Sequence, residues 1–451
     1  MSHPFLSLGF NSWTQKFSRG GPPVIIQALL EYVTTTVSSF TLRATGNVNY
    51  TVDWGDGTVE TLTTTAPTHT YASAGSYTIK IYPAEGSTYQ PFFNNLISST
   101  SIASVSGTGG SQLGTNLTYA WNGCSSLTSF DIDTSNVTDF SRAFLRCNGL
   151  APSFPIIDTS SGMYFIQTWF GLGSMRSGFP LLDFSSAIDL TSTWEECRQL
   201  KTFPQINTSN VTNFTNTWKQ CQDLFSFPQI DTSSGIIFAG TWKSCSKLSS
   251  FPLIDTSNGT SFYEAWNGCR ELTSFPQIDT SSGVNFSFAW SSCVNLTSFP
   301  LLDFSSATSL TQTWSGCGNL TSFPQINTSN VTSFSNAWYG CSSLTSFPQL
   351  DTSSGRTFYN AWKNCVNLTS FPVLDFSQLQ YYQPINYAWQ NCALSEQSIE
   401  NILVALDNSG KTDKVTHLDS GTNAGYSTWT AAAQTALANL QAKGWTISYN
   451  P

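Results

Sequence analysis

The chain has 451 residues, of which 40% are hydrophobic, 14% aromatic and only 10% charged, and its formal net charge is −9 at pH 7. Few charges and many aromatic side chains exclude a disordered chain, which has the opposite balance, and the negative charge argues against contact with a nucleic-acid backbone. No apolar run reaches the roughly 20 residues of a membrane-spanning helix, so we expect neither nucleic acid nor a membrane as a partner.

Residues 1–30 are predicted to be an N-terminal attachment segment. They lack the basic region and the small-residue cleavage site that are typical of a secretory signal. The stretch GGPPVIIQALLEYV joins a turn to an apolar run suited to insertion into a partner.

Residues 31–97 show the alternation of apolar and polar residues that predicts strands, with a tight turn at Asp56–Gly57. The alternating residues are Tyr50, Val52 and Trp54, and then Tyr77, Ile79 and Ile81. The WGDG at Trp54–Gly57 and the HTYASAGSYTI at His69–Ile79 resemble a PKD-type β-sandwich, which implies a spacer or attachment domain. The resemblance makes His69 a packed structural residue. Asp53 and Asp56 are predicted to be turn residues, with calcium ligation as the alternative.

Residues 98–116 are small and polar, and are predicted to be a linker or an irregular approach to the next region of the chain.

A 24-residue period dominates residues 117–392, which we expect to contain about 12 repeats. Eight cysteines are each 24 residues apart, from Cys197 to Cys365. Cys124, Cys147 and Cys392 extend the series, and Leu172 stands where one further cysteine is expected. Such a period is typical of a repeat protein. One cysteine per repeat, replaceable by leucine, indicates buried free thiols; stacked disulfides and a metal ladder are the alternatives.

One repeat, DTSSGVNFSFAWSSCVNLTSFPLL at 279–302, contains two apolar patterns. Phe286, Trp290, Cys293 and Leu296 have the spacing of a short helix or helical turn. The following LTSFPLL, broken by Pro300, predicts a brief extended segment. Such a unit cannot bury its apolar face alone, so the repeats are predicted to stack into a solenoid.

Two columns of side chains recur with this period. The tryptophans are predicted to lie in the core, with an exposed sugar-binding ladder as the alternative. They are Trp121, Trp169, Trp194, Trp218, Trp242, Trp266, Trp290, Trp314, Trp338, Trp362 and Trp389, with Phe144 in the remaining place. The acidic column includes Asn207 and Asn327, which have no charge, so its members are predicted to cap turns; a calcium ladder is the alternative.

A second period of 120 residues, or five repeats, is superimposed on the first. DFSSAIDLTSTW at 183 returns as DFSSATSLTQTW at 303, and DTSSGIIF at 231 returns as DTSSGRTF at 351. Duplication of a whole block would scramble a unique catalytic pocket, so it favours an extended binding or spacer surface.

The order of Leu, Asp-Thr-Ser, an aromatic residue and Cys is similar to that of the BspA-type (DUF285-like) leucine-rich repeat. Trp here replaces the Met-Phe pair of that repeat, and Phe-Pro replaces its Leu-Asp. The resemblance implies a surface protein, commonly adhesive.

Residues 393–451 are predicted to form a small α/β cap at the end of the repeats. Ser395 is the expected N-cap of a first helix that closes near Gly410. A strand follows at Val415–Asp419, then a helix at Thr428–Ala442 and a strand at Trp445–Tyr449. This segment resembles C-terminal modules of bacteriophage structural proteins.

The functional hypothesis is a non-enzymatic bacteriophage virion surface protein, such as a capsid decoration, a head fibre or a tail-associated adhesin. It would be anchored to other virion proteins through its N-terminal region, would be assembled in the host cytoplasm, and would contact host-surface glycans weakly at many points. The alternative is a BspA-type bacterial cell-surface adhesin. We expect no catalytic residue, no cofactor and no metal ligand, and the sequence leaves the formation of a homo-oligomer open.

Overall fold

A computed structural model describes residues 27–46, 48–94, 97–150, 154–155, 157–176, 178–380 and 383–451. Three parts follow one another: a β-rich N-terminal part, a run of repeats, and a small α/β part. The expected attachment segment lies outside the described residues except for its last four, and Leu30 already belongs to a strand.

Eight strands form most of the N-terminal part, and buried side chains alternate along the first, fourth and seventh of them, as they do in strands that have one face toward a core. They are β1 (Leu30–Thr34), β2 (Val37–Thr41), β3 (Ala44–Thr45), β4 (Tyr50–Asp53), β5 (Val59–Leu62), β6 (Thr68–Gly75), β7 (Thr78–Pro83) and β8 (Gln90–Pro91). β1, β7, β4 and β5 pair in one sheet, β2 pairs with β6, and β3 pairs with β8. Tyr32 lies opposite Ile79, and Val52 opposite Ile81, and all four side chains are fully buried.

The expected linker at 98–116 instead extends this sheet. β9 (Ile102–Ser106) pairs antiparallel with β1 and parallel with β10 (Ser129–Asp131), which lies in the first repeat. Ile102 and Val105 are fully buried, so two apolar side chains anchor a strand within a small and polar stretch. The linker prediction is therefore wrong for β9, and one six-stranded sheet continues from the N-terminal part into the repeats. Short 3-10 helices occur at Ile97–Ser101, Gly110–Leu113, Asn148–Leu150 and Tyr426–Thr428.

The repeats lie side by side in register. One residue of each repeat forms a parallel β-bridge with its equivalent in the next repeat, from Asn116 to Thr357. From Trp169 to Trp389, the indole rings of neighbouring repeats are stacked with centroids 5.1–6.1 Å apart. This distance is near the spacing of adjacent strands.

Around the tryptophan, overlapping turns replace the predicted helical turn. The N–H groups of Ala289, Ser291 and Cys293 donate to carbonyls three residues earlier, whereas those of Phe288, Trp290 and Ser292 donate to carbonyls of the next repeat. A helix would direct successive N–H groups to its own carbonyls. Alternate N–H groups are therefore free to join one repeat to the next, and the helical prediction is wrong.

The turns require left-handed backbone at two positions of each repeat. Phe288 and Ser292 have φ of 62° and 61°, a region that glycine enters without strain and other residues enter at a cost. Glycine occupies the position of Ser292 in several repeats, as at Gly316 and Gly340.

The predicted extended segment is present without regular strand pairing. In the repeat at 279–302, the N–H of Thr297 donates to the carbonyl of Thr273 at 3.1 Å. Pro300 has no N–H to donate, so few bonds join these segments between neighbouring repeats.

The core consists of columns that run along the repeats. Trp290 is fully buried, lies between Trp266 and Trp314, and makes edge contacts with Phe275 and Phe299. All eleven tryptophans of the column and Phe144 are buried, as predicted. The indole N–H groups of these eleven tryptophans have no hydrogen-bond partner among the described residues.

The C-terminal part has the predicted order of helix, strand, helix and strand. Its elements are α1 (Glu396–Asn408), β11 (Val415–Leu418), α2 (Ala431–Ala442) and β12 (Thr446–Tyr449). The hydroxyl of Ser395 accepts from the N–H of Ser398 and caps α1, as predicted, while Thr430 caps α2. β11 and β12 pair in parallel.

This C-terminal part supplies the hydrogen bonds that a further repeat would supply. Thr416 donates its hydroxyl to the carbonyl of Ile385 at 3.1 Å, as Thr313 does to Phe286 within the repeats. The buried amide of Asn423 donates to the carbonyl of Trp389 at 3.2 Å, which is the type of bond that a cysteine makes elsewhere. The last repeat is therefore capped by specific donors.

Candidate binding surface of the repeats

The acidic column caps turns, as predicted. Each of its eleven members accepts the N–H of the residue two positions later, at 2.7–3.1 Å. The column consists of Asp133, Asp158, Asp183, Asn207, Asp231, Asp255, Asp279, Asp303, Asn327, Asp351 and Asp375. Hydrogen bonds from Ser233 hold the pKa of Asp231 below its usual value, and those from Ser353 do so for Asp351. Asn207 and Asn327 make the same contact without a charge, so the acceptor oxygen is what the position requires.

The cysteine column is internal and reduced. All eleven cysteines are buried and free. Ten of them donate the thiol to the carbonyl of the tryptophan in the preceding repeat, as Cys293 does to Trp266 at 3.2 Å. Burial raises the pKa of Cys293 well above its usual value. The prediction of buried free thiols is confirmed, with the addition that these ten thiols each join two repeats.

Small polar side chains lie next to one another at three successive junctions between repeats. Three hydroxyl pairs join neighbouring repeats at 2.8–3.0 Å; they are Ser287 with Ser309, Thr311 with Ser333, and Ser335 with Thr357. We call these six residues the hydroxyl row. Nearer the N-terminal part, Thr118 and Asp139 make the equivalent contact at 3.3 Å. Equivalent residues therefore present hydroxyl, amide and carboxylate oxygens at a regular interval.

A shallow cavity of about 400 Å³ lies where the hydroxyl row ends. It is lined by Thr332, Ser333, Arg356, Thr357, Tyr359, Gln383 and Pro384. We call it the Arg356 cavity. The interval from Cys365 to Cys392 is 392 − 365 = 27 residues instead of 24, so the last repeat, which contributes Gln383 and Pro384, is three residues longer than the others.

The sequence did not identify Arg356 and Tyr359 as site residues. The signal was present in the duplicated block, because DTSSGIIFAG at 231 corresponds to DTSSGRTFYN at 351. Ile236 and Ala239 of the first copy thus become Arg356 and Tyr359 in the second. A position at which the two copies of the block differ can carry a function that only one copy has.

In the N-terminal part, the WGDG motif and His69 form a packed cluster. His69 stacks on Trp54 at 4.9 Å, and its Nε2 lies 2.8 Å from a carboxylate oxygen of Asp56. This hydrogen bond lowers the pKa of Asp56 to about 2. The other carboxylate oxygen accepts the N–H of Thr58, and Asp53 accepts the N–H of Gly55. The predicted turn roles of both aspartates and the packed role of His69 are confirmed.

Metal-ligand clusters and membrane-spanning helices are both absent from the part of the chain that the structure describes. Across the described ranges, no three His, Cys, Asp or Glu side chains come close enough together to hold a metal ion. Among the helices of the same ranges, none has both the length and the apolar character needed to cross a bilayer.

Comparison with known proteins relates the N-terminal part to a known domain. The family model of the PKD domain matches residues 19–84, which include the Trp54–His69 cluster and the strands β1 to β7. No curated protein matches the chain. The N-terminal β-rich part is therefore a PKD-like domain.

Proposed function

We propose that this protein is a non-enzymatic bacteriophage virion surface protein, whose repeats form a solenoid that makes weak contacts with host-surface glycans at many points. The N-terminal region would attach it to other virion proteins. The observation that carries the proposal is the register of the repeats, because equivalent hydroxyl groups pair at three successive junctions between repeats.

A regular row of hydroxyl and amide groups suits a polymer ligand. A glycan chain offers hydroxyl groups at intervals along its length, and each contact with Ser, Thr or Asn would be weak. Several weak contacts on one rigid surface raise the overall affinity, because the later contacts form within one complex. Many copies on a particle would raise it further.

The two ends of the run of repeats also support display. The sheet that includes β1 and β9 continues into β10 of the first repeat, and Thr416 and Asn423 occupy the backbone acceptors at the other end. Capped ends allow a stack of repeats to remain soluble. Eleven free thiols in the core suit folding in a reducing compartment such as the cytoplasm.

Quantitative mass spectrometry of purified particles tests this proposal. The chain should be found in particles at a fixed ratio to the major capsid protein, with tens to hundreds of copies expected for a decoration and a handful for a tail or vertex fibre. Purified full-length chain should also bind host cells, and enzymatic removal of surface glycans should abolish that binding. Absence from particles together with presence on bacterial cells would replace the proposal with a cell-surface adhesin.

A further inference from the structure

We propose that the Arg356 cavity is a subsite for a sugar that carries a carboxylate, such as a uronic or sialic acid. This inference rests on the proposed function, since it names the class of glycan residue that the repeats would recognise. It also assigns that recognition to one place on an otherwise repetitive surface.

The first argument is the uniqueness of Arg356. In the other repeats its position is occupied by uncharged side chains: Thr115, Thr138, Met163, Ile188, Thr212, Ile236, Thr260, Val284, Thr308, Thr332 and Gln380. The backbone of Arg356 is held on both sides, because its N–H donates to Thr332 at 2.8 Å and its carbonyl accepts from Gln380 at 3.0 Å. The backbone of this lining residue is therefore fixed by both neighbouring repeats.

The second argument is the charge state of the cavity. Arg356 forms no ion pair with any described residue. The ring of Tyr359, which also lines the cavity, is edge-on to the ring of Tyr387 with centroids 6.3 Å apart. Arg356 is therefore an unpaired cation among the described residues, in the cavity lining of a chain whose net charge is −9. A guanidinium matches a carboxylate with two parallel hydrogen bonds.

The third argument is the rest of the lining, which suits a sugar ring more than a bare anion. Thr332, Ser333 and Gln383 line the cavity with hydroxyl and amide groups, which can bond to sugar hydroxyls. Tyr359 has 37% of its surface exposed, and its ring offers an apolar face with a polar tip. A volume of about 400 Å³ lies within the range of small-ligand sites.

The position of the cavity connects it with the hydroxyl row. Ser333 and Thr357 belong both to the row and to the cavity lining. A glycan chain that follows the row would therefore reach Arg356 at its end. One acidic sugar of the glycan would then fix the position of the glycan along the hydroxyl row, which by itself would bind the glycan in any register.

The test is calorimetric titration of the full-length chain with matched saccharides. The pairs are trigalacturonic acid with its methyl ester, and 3′-sialyllactose with lactose. At least one acid should bind more tightly than its neutral counterpart, and Arg356→Ile should weaken binding of that acid by at least roughly tenfold. Ile is the residue at the equivalent position, Ile236, so this variant is expected to fold. Tyr359→Ser, which copies Ser335, should weaken binding of both members of the pair.

The matched control is Ile236→Thr, which changes the same position in the first copy of the block and should leave binding unchanged. Equal binding of an acid by the wild-type chain and the Arg356→Ile variant would overturn the proposed subsite, and so would failure of both acids to bind. If the wild-type chain still binds host cells through their glycans in either case, the proposed function stands without this subsite. Failure of the wild-type chain to bind host cells at all would overturn the proposed function itself.

Discussion

The tryptophan column gives the sharpest test of the core, because its members are fully buried and their indole N–H groups have no partner among the described residues. We compare Trp290→Ala with Trp290→Phe. Phe is already accepted in this column, since Phe144 stacks on Trp121 at 5.4 Å.

The two substitutions at Trp290 should differ strongly in cost. A buried Trp removes roughly 150–250 Å² from water, which corresponds to about 4–6 kcal/mol at roughly 25 cal/mol per Å². Trp290→Ala loses most of this, along with contacts to two Trp and four Phe rings, so we expect a loss of about 3–5 kcal/mol in the free energy of unfolding. Trp290→Phe keeps a ring and removes an unpaired N–H, whose burial costs about 1–3 kcal/mol. Its net effect should therefore lie within about 1 kcal/mol of zero.

Trp445→Phe is the matched control, because Trp445 is also buried but donates its N–H to Lys411 at 2.8 Å. It loses a real hydrogen bond, so it should cost more than Trp290→Phe by about 1 kcal/mol. The assay is urea denaturation followed by circular dichroism, with the slope of the transition checked for constancy. A neutral Trp290→Ala would refute the buried column. Equal costs for Trp290→Ala and Trp290→Phe would refute the role assigned to the unpaired N–H.

Three further predictions concern the repeats and their cap. Burial raises the pKa of the Cys293 thiol and of its equivalents. A thiol reagent at pH 8 should therefore leave the native chain unlabelled and label all eleven cysteines in denaturant. Fast labelling of the native chain would contradict the internal cysteine column. Ser292→Gly should leave stability unchanged or slightly raised, whereas Ser292→Val should cost about 1–2 kcal/mol, because φ at this position is 61°; equal thermal midpoints would contradict the left-handed assignment. Asn423→Ala removes hydrogen bonds to Trp389, Leu418 and Leu394, so it should lower the free energy of unfolding by at least about 2 kcal/mol. The control Asn408→Ala, at the exposed end of α1, should be nearly neutral. A neutral Asn423→Ala would contradict the capping role.

The 24-residue spacing was sufficient to predict the buried tryptophans, the free thiols and the turn role of the aspartates. These predictions depend only on which side chains recur every 24 residues, and this recurrence can be read from the sequence. The alternation around Tyr50 and Ile79 similarly predicted strands in the PKD-like domain. The order of helices and strands after Ser395 was predictable from caps and apolar spacing.

The helical turn was a wrong prediction because apolar spacing does not specify where backbone N–H groups donate. Phe286, Trp290 and Cys293 have helical spacing, yet the N–H of Trp290 donates to the next repeat. The left-handed backbone at Phe288 and Ser292 has no signal in their side chains, since glycine replaces them only in some repeats. β9 was missed because its pairing partners, β1 and β10, are distant in sequence.

The Arg356 cavity was missed for a different reason. The repeat pattern was derived from positions that agree between repeats, whereas Arg356 and Tyr359 are informative because they disagree with their equivalents. Their proximity to Gln383 depends on the longer last repeat, and only the structure places these side chains around one cavity.

The most direct test of the stacked repeats is small-angle X-ray scattering of the full-length chain and of a variant that lacks residues 207–326. The deletion joins Ile206 to Asn327 and recreates the natural Ile-Asn junction at 326–327. The variant should remain folded, and its longest dimension should be shorter by about 25–30 Å, which is five repeat spacings of 5.1–6.1 Å. An unchanged longest dimension, or a variant that fails to fold although both ends are retained, would contradict a continuous stack of equivalent repeats.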